Sequence, residues 1–273
     1  MTLAIAVKVN AGVILAADSA TTVIDQNGGV INVYNNANKI FNLYKGLPIG
    51  IVTWGQASLG PYSISVLAKD FRAELKSPSR YAIDPQSYTV ADIADKFKQF
   101  IFDNHYELNF PPGGLRPPLG FFIGGFSANS GLGEIYSLEM SAAGLSGPVL
   151  SAPQDESGVL FNGQPEAVIR LVLGFGTEIG LALEQDLGVP AGDIPRYITA
   201  IQNRLANPFI YDGMPLQDAI DFAEFLVDMT IKYMRFLPGA QTVGGPIEVA
   251  AMTKHEGFKW IKRKLYYPPD LNP

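Results

Sequence analysis

The stretch Met1-Thr2-Leu3-Ala4-Ile5-Ala6-Val7-Lys8-Val9-Asn10-Ala11-Gly12-Val13-Ile14-Leu15-Ala16-Ala17-Asp18-Ser19-Ala20-Thr21-Thr22 decides how the rest of the chain is read. Residues 3–9 and 13–17 are rich in Ala, Val, Ile and Leu, with Asn10-Ala11-Gly12 between them. That pattern predicts two strands joined by a tight hairpin, Asn and Gly supplying the turn. The hairpin folds Asp18 back beside Thr2, which only Met1 precedes in this sequence. Once that methionine is trimmed, a hydroxyl, an α-amine and a carboxylate meet in one place.

Composition narrows the alternatives. The 273 residues are 47% hydrophobic with a mean hydropathy of +0.13, enough for one sizeable core. No Pro/Ser-rich linker or charge run divides them, so residues 1–273 are read as one domain. A net charge of −6, a pI near 5.0 and no basic stripe argue against nucleic acid as a partner. The basic cluster Lys259, Lys262, Arg263 and Lys264 is read as a solvated strand or tail. Without cysteine there is no thiol nucleophile, thiolate metal site or disulfide, which fits a cytoplasmic protein. No window reaches the roughly 18 to 20 apolar residues of a membrane span, so no membrane partner is expected. With His105 and His255 the only histidines, no metal site and no cofactor are expected.

Along the chain, 20–35 is polar and Gly-containing, and 39–43 and 47–55 read as strands. Leu59, Ile64, Leu67, Ala68, Phe71 and Leu75 recur at three- and four-residue spacing and predict a helix over 56–76. Thr89 opens a second helix to about 107, followed by a Pro/Gly loop at 109–118. Strands are predicted at 119–126, 133–140 and 158–162, then helices over 165–184, 194–206 and 215–236. Gly244–Met252 and Gly257–Leu265 form a closing hairpin. This order lacks strict β-α-β alternation and predicts an α+β class, antiparallel sheets covered by helices.

The common catalytic and nucleotide motifs are missing: no Walker A, no Gly-x-Gly-x-x-Gly after a strand, no His-Glu-x-x-His, no Gly-x-Ser-x-Gly. An N-terminal threonine remains. Its hydroxyl needs a base, and its own α-amine, titrating near pH 8 (roughly 7.7–8.0), can serve. A neighbouring lysine would depress that value, a carboxylate would hold the lysine, and a backbone N–H would receive the oxyanion. The chain offers one candidate for each part: Thr2, Lys39, Asp18 and Gly55. Taken singly, they also fit a commonplace second residue, a surface lysine, a strand-end cap and a turn.

Together, Thr2 to Thr22 with Ile14-Leu-Ala-Ala-Asp-Ser-Ala-Thr-Thr22, then Asn38-Lys39-Ile40 and Thr53-Trp54-Gly55, resemble the proteasome β-subunit family and its bacterial proteasome-like peptidases. More weakly, Ile123-Gly-Gly-Phe-Ser127, Glu134–Met140, Phe161-Asn-Gly-Gln164 and Gly244-Gly245-Pro-Ile-Glu-Val249 follow the family's later strands. The resemblance implies a four-layer αββα sandwich, a self-compartmentalising homo-oligomeric ring, and hydrolysis of peptide bonds in peptides or unfolded proteins. It implies Thr2 as nucleophile and amine base, Asp18 and Lys39 as tuning groups, and the Gly55 N–H as oxyanion hole. It also implies that the Thr22 and Gly55 backbones pair with substrate. Thr21, Ala37, Thr53 and Ala57 would line the first specificity pocket, which their small uncharged side chains suit to apolar or small groups. A separate ATP-dependent unfoldase would act as partner.

Three positions depart from the family pattern. Gln164 stands for a serine, Ala240 for a late aspartate and Ala20 for an arginine. Segments 109–118 and 186–214 and the tail 266–273 look like additions. Beside the threonine peptidase stand two alternatives, an amidase of the same N-terminal-nucleophile type acting on small molecules and a non-catalytic assembly subunit.

Overall fold

The computed structural model describes residues 2–25 and 28–264, so the 266–273 tail lies outside the described residues. Its strands in chain order are β1 (Leu3–Val9), β2 (Gly12–Ala17), β3 (Thr21–Ile24), β4 (Val30–Tyr34), β5 (Ile40–Asn42), β6 (Ile49–Gly55), β7 (Ser58–Leu59), β8 (Tyr62–Ser63), β9 (Leu119–Gly125), β10 (Glu134–Ser141), β11 (Gly144–Ala152), β12 (Gly158–Gly163), β13 (Glu248–Thr253) and β14 (Gly257–Lys262). The helices are α1 (Ile64–Glu74), α2 (Val90–Lys98), α3 (Glu107–Asn109), α4 (Glu166–Leu173), α5 (Ile179–Leu181), α6 (Ile194–Leu205) and α7 (Leu216–Phe236).

Two five-stranded sheets carry the fold, in the orders β12-β1-β2-β13-β14 and β11-β10-β9-β6-β5. Every pairing in both is antiparallel. The period-2 alternation of strand side chains divides β1 between two environments. Leu3, Ile5, Val7 and Val9 join a core with Ile220, Ala223 and Leu226 of α7. Ala4 and Ala6 face the other way and meet Trp54, Val52 and Phe122 of the second sheet. On the far side of that second sheet, Ile49, Ile51, Phe121 and Ile123 pack on Leu67 and Phe71 of α1 and on Ile93 and Phe97 of α2. The opening strands are buried on both faces, which is why 3–9 and 13–17 read as near-continuous apolar runs.

The hairpin 3–17, the strands 119–125 and 134–141 and the helices at 90, 194 and 216 fall where the sequence puts them. Elsewhere the structure differs. The helix expected from residue 56 begins at Ile64, because Gly60 turns with φ +57° and Ser63 caps the helix by accepting from the Val66 N–H. After α2 the helix widens into π-helical turns over Gln99–Tyr106. The helix expected over 165–184 stops at Leu173, where Gly174 takes a left-handed φ of +83° and ends it. The polar 20–35 segment holds β3 and β4, a small separate sheet, and β11 pairs with β10 where no strand was predicted.

Candidate active site

The site grows from the hairpin register. Ala4 pairs with Ala17, so Asp18 comes level with Leu3, whose N–H donates to Asp18 Oδ1 at 3.0 Å. On the other flank β12 pairs Leu3 with Gly163, and the Gln164 N–H donates to the Thr2 carbonyl at 2.8 Å. The peptide unit after Thr2 is therefore held from both neighbouring strands. Gly163 makes the close approach possible: its φ is +97°, and a Cβ there would lie 1.9 Å from the Thr2 oxygen. Thr2 itself is 5% exposed.

Asp18 is fully buried and has four donors. Oδ1 also accepts from Lys39 Nζ at 2.6 Å, and Oδ2 accepts from the Ala20 and Gly244 N–H groups, each at 3.0 Å. A carboxylate with two oxygens offers about four lone-pair sites, so this one is saturated. Burial holds the Lys39 ammonium below its ordinary pKa, against the opposing pull of Asp18. Lys39 reaches Asp18 from the start of β5, where its carbonyl accepts from the Thr53 N–H of β6 at 3.0 Å.

A second ion pair lies behind the first. Lys264 Nζ meets the buried Glu248 Oε2 at 2.9 Å and donates to Ser19 Oγ at 2.6 Å and to the Ala37 carbonyl at 2.7 Å. Ser19 Oγ in turn donates to the Pro246 carbonyl at 2.6 Å. Burial lowers the Lys264 pKa, and Glu248 opposes it. Lys264 is thus part of the frame around residues 18–20, which corrects the expectation of a solvated basic tail. Its long stem and its distance of 245 positions from Ser19 left no signal in local sequence.

Gly55 ends β6 with φ +88°, and a Cβ on it would come within 2.2 Å of the Pro118 carbonyl. Thr2, Lys39 and Gly55 all line one cavity of about 320 Å³, together with Thr21, Ala37, Thr53 and Ala57. Four of the five expected substrate-contact residues are brought together there. Thr22 does not line the cavity; it lies on β3 opposite Val33. The Thr53 hydroxyl donates to the Gly120 carbonyl, and the only charged lining residue among those described is Lys39, already paired. Trp54 backs Gly55 by lying against Phe122, ring centroids 4.5 Å apart, over Gly120, where a Cβ would meet the indole at 2.2 Å. Sequence reasoning missed Trp54 and the Glu248–Lys264 pair.

Of the departures, Ala20 is fully buried and gives its N–H to Asp18, while Ala240 is exposed. Gln164 adjoins Thr2 through its backbone and lines a second cavity that also touches Thr2 and Gly55. Among the described residues no group of three His, Asp or Glu side chains is placed to hold a metal ion, and no helix is long and apolar enough to cross a membrane.

No family model matches the sequence, and no curated protein does. Solved structures do match the fold. The Anbu complex of Pseudomonas aeruginosa, a helical assembly, superposes with a TM-score of 0.54 at 14% identity over 97% of this chain and 88% of that one. Anbu, the ancestral beta-subunit, from Yersinia bercovieri gives 0.52 at 12% identity over 97% and 89%. Anbu from Hyphomicrobium sp. strain MC1 gives 0.52 at 12% identity over 98% and 91%. At such identities the likeness is one of fold.

Proposed function

We propose that the chain is a threonine-type hydrolase that cleaves peptide bonds with Thr2 once Met1 has been removed. The observation that carries this is that Thr2, Gly55 and Lys39 line one cavity, with Lys39 paired to the buried Asp18. The Thr2 α-amine takes the Oγ proton as Oγ attacks the substrate carbonyl. The Gly55 N–H receives the oxyanion. The amine then returns the proton to the departing nitrogen, and water, activated by the same amine, hydrolyses the threonine ester. Lys39, held by Asp18, disfavours a second positive charge nearby and so keeps the amine neutral. The acyl side chain enters the cavity lined by Thr21, Ala37, Thr53 and Ala57.

We read the two sheets and their outer helices as a four-layer αββα sandwich, and the chain as a single domain. By analogy with the Anbu helical assembly, we expect a homo-oligomer. A non-catalytic assembly role is favoured by one observation, the exposed alanine at 240 where the resemblance calls for an aspartate. Intact-mass analysis before and after a threonine-directed β-lactone separates the readings. Loss of Met1 and one adduct, absent in Thr2→Ala, is the expected result. A retained Met1 with no adduct overturns the hydrolase and leaves the assembly role.

A further inference from the structure

Thr2, Trp54 and Gly55 line both of two cavities. The first takes the acyl side chain in the function proposed above, on which this inference rests. The second, about 240 Å³, is lined also by Glu139, Ser141, Asn162 and Gln164. With the acyl part assigned to the first cavity, the second is the space left beside Thr2 for the part that departs.

The strand registers explain why a carboxylate stands there. Trp54 pairs with Gly120 and Gly120 with Glu139, so Glu139 lies in the row next to that of Gly55. From the other sheet Asn162 is paired with Ala4, two residues from Thr2. Asn162 Nδ2 donates to Glu139 Oε1 at 2.8 Å, tying the two sheets together across the mouth of the cavity. Glu139 is the sole charged residue among the described lining, and among the described residues no cation pairs with it. The two cavities therefore differ in kind. One has uncharged walls around a lysine paired with Asp18; the other presents a carboxylate without a paired cation, held by a neutral donor.

We propose that the second cavity takes the residue on the carboxyl side of the scissile bond and that Glu139 selects lysine or arginine there. The preferred substrate then has a small or apolar residue before the bond and a cationic one after it. Glu139 is exposed, so its effect is that of a solvated ion pair, about fivefold or less in kcat/KM for exchanging a cationic residue with a neutral one.

The test is a peptide set with alanine before the bond and Lys, Arg, Gln or Glu after it. Cleavage is read by mass spectrometry with wild-type protein and with Glu139→Gln and Glu139→Lys. The expected order in wild type is Lys and Arg above Gln above Glu, levelled by Glu139→Gln and inverted by Glu139→Lys. Cleavage with the same ratios in wild type and Glu139→Lys overturns this inference alone. No cleavage of any peptide, together with no lactone adduct on Thr2, overturns it along with the hydrolase itself.

Discussion

Asp18 and Lys39 form a 2.6 Å ion pair whose side chains are 0% and 5% exposed, and the same carboxylate fixes three backbone N–H groups from Leu3, Ala20 and Gly244. The aspartate is thus structural and electrostatic at once. It ties the first strand, the turn after the second and the segment leading into β13.

The two partners should therefore not be equivalent. Lys39→Met leaves a carboxylate that keeps three donors, whereas Asp18→Ala leaves three buried N–H groups and an ammonium without an acceptor. Breaking a buried pair costs about 3–5 kcal/mol, and each orphaned buried group adds roughly 1–3 kcal/mol. Urea denaturation should rank Asp18→Ala well below Lys39→Met. Equal midpoints would mean the backbone donors find water instead.

Part of this was legible in the sequence. Asn10 to Gly12 set the hairpin, and the hairpin alone set Asp18 beside Leu3 and Thr2. The 3.6-residue pattern of Ile93, Phe97, Phe100 and Ile101 located the second helix because one face packs on a sheet. β3 and β4 were not legible, since Val23, Ile24, Val30 and Ile31 are 39–66% exposed and no buried face imposes an alternation. β11 was hidden by Gly147 and Pro148, which read as loop residues. Lys39 and Gly55 could be put forward as candidates from the chemistry but given roles only through the family resemblance, because the cavity they share with Thr2 depends on how two sheets stack.

Lys264 binds its proton less tightly in the folded chain than its ordinary value of 10.5, because burial outweighs the help of Glu248. Between the folded and ordinary values the unfolded chain holds more protons, so this group's contribution to stability rises with pH through that window. Below the window both states are protonated and the burial penalty is complete. The advantage of wild type over Lys264→Met in unfolding free energy should grow as pH is raised toward 10.5. A constant difference from pH 8 to 10.5 would contradict the burial of this ammonium.

Ala57 is exposed yet lines the acyl cavity. Ala57→Leu should change stability by no more than about 0.5 kcal/mol, as for other surface substitutions. It should narrow the roughly 320 Å³ space, raising KM for substrates with large acyl side chains while leaving small ones unaffected. Kinetics on peptides with Ala, Leu and Phe before the bond check this, and a uniform change across all three would move the acyl subsite elsewhere.

Gly163→Ala tests how closely chemistry depends on backbone placement. The new Cβ would lie 1.9 Å from the Thr2 carbonyl at a φ of +97°, so either the strand end or Thr2 must move. The strain is of the order of 1–3 kcal/mol. Moving Thr2 breaks the bond from the Gln164 N–H and shifts Oγ relative to Gly55, and a misplacement near 1 Å is enough to cost about a hundredfold in rate. At Gly174, which also has a positive φ of +83°, alanine would meet Leu205 instead, and Gly174 lines neither cavity at Thr2. Gly174→Ala should share the strain and lose stability to a similar degree. Lactone labelling of both variants separates the effects: Gly163→Ala should label far more slowly than Gly174→Ala at matched stability, and equal rates would detach the Thr2 carbonyl clamp from catalysis.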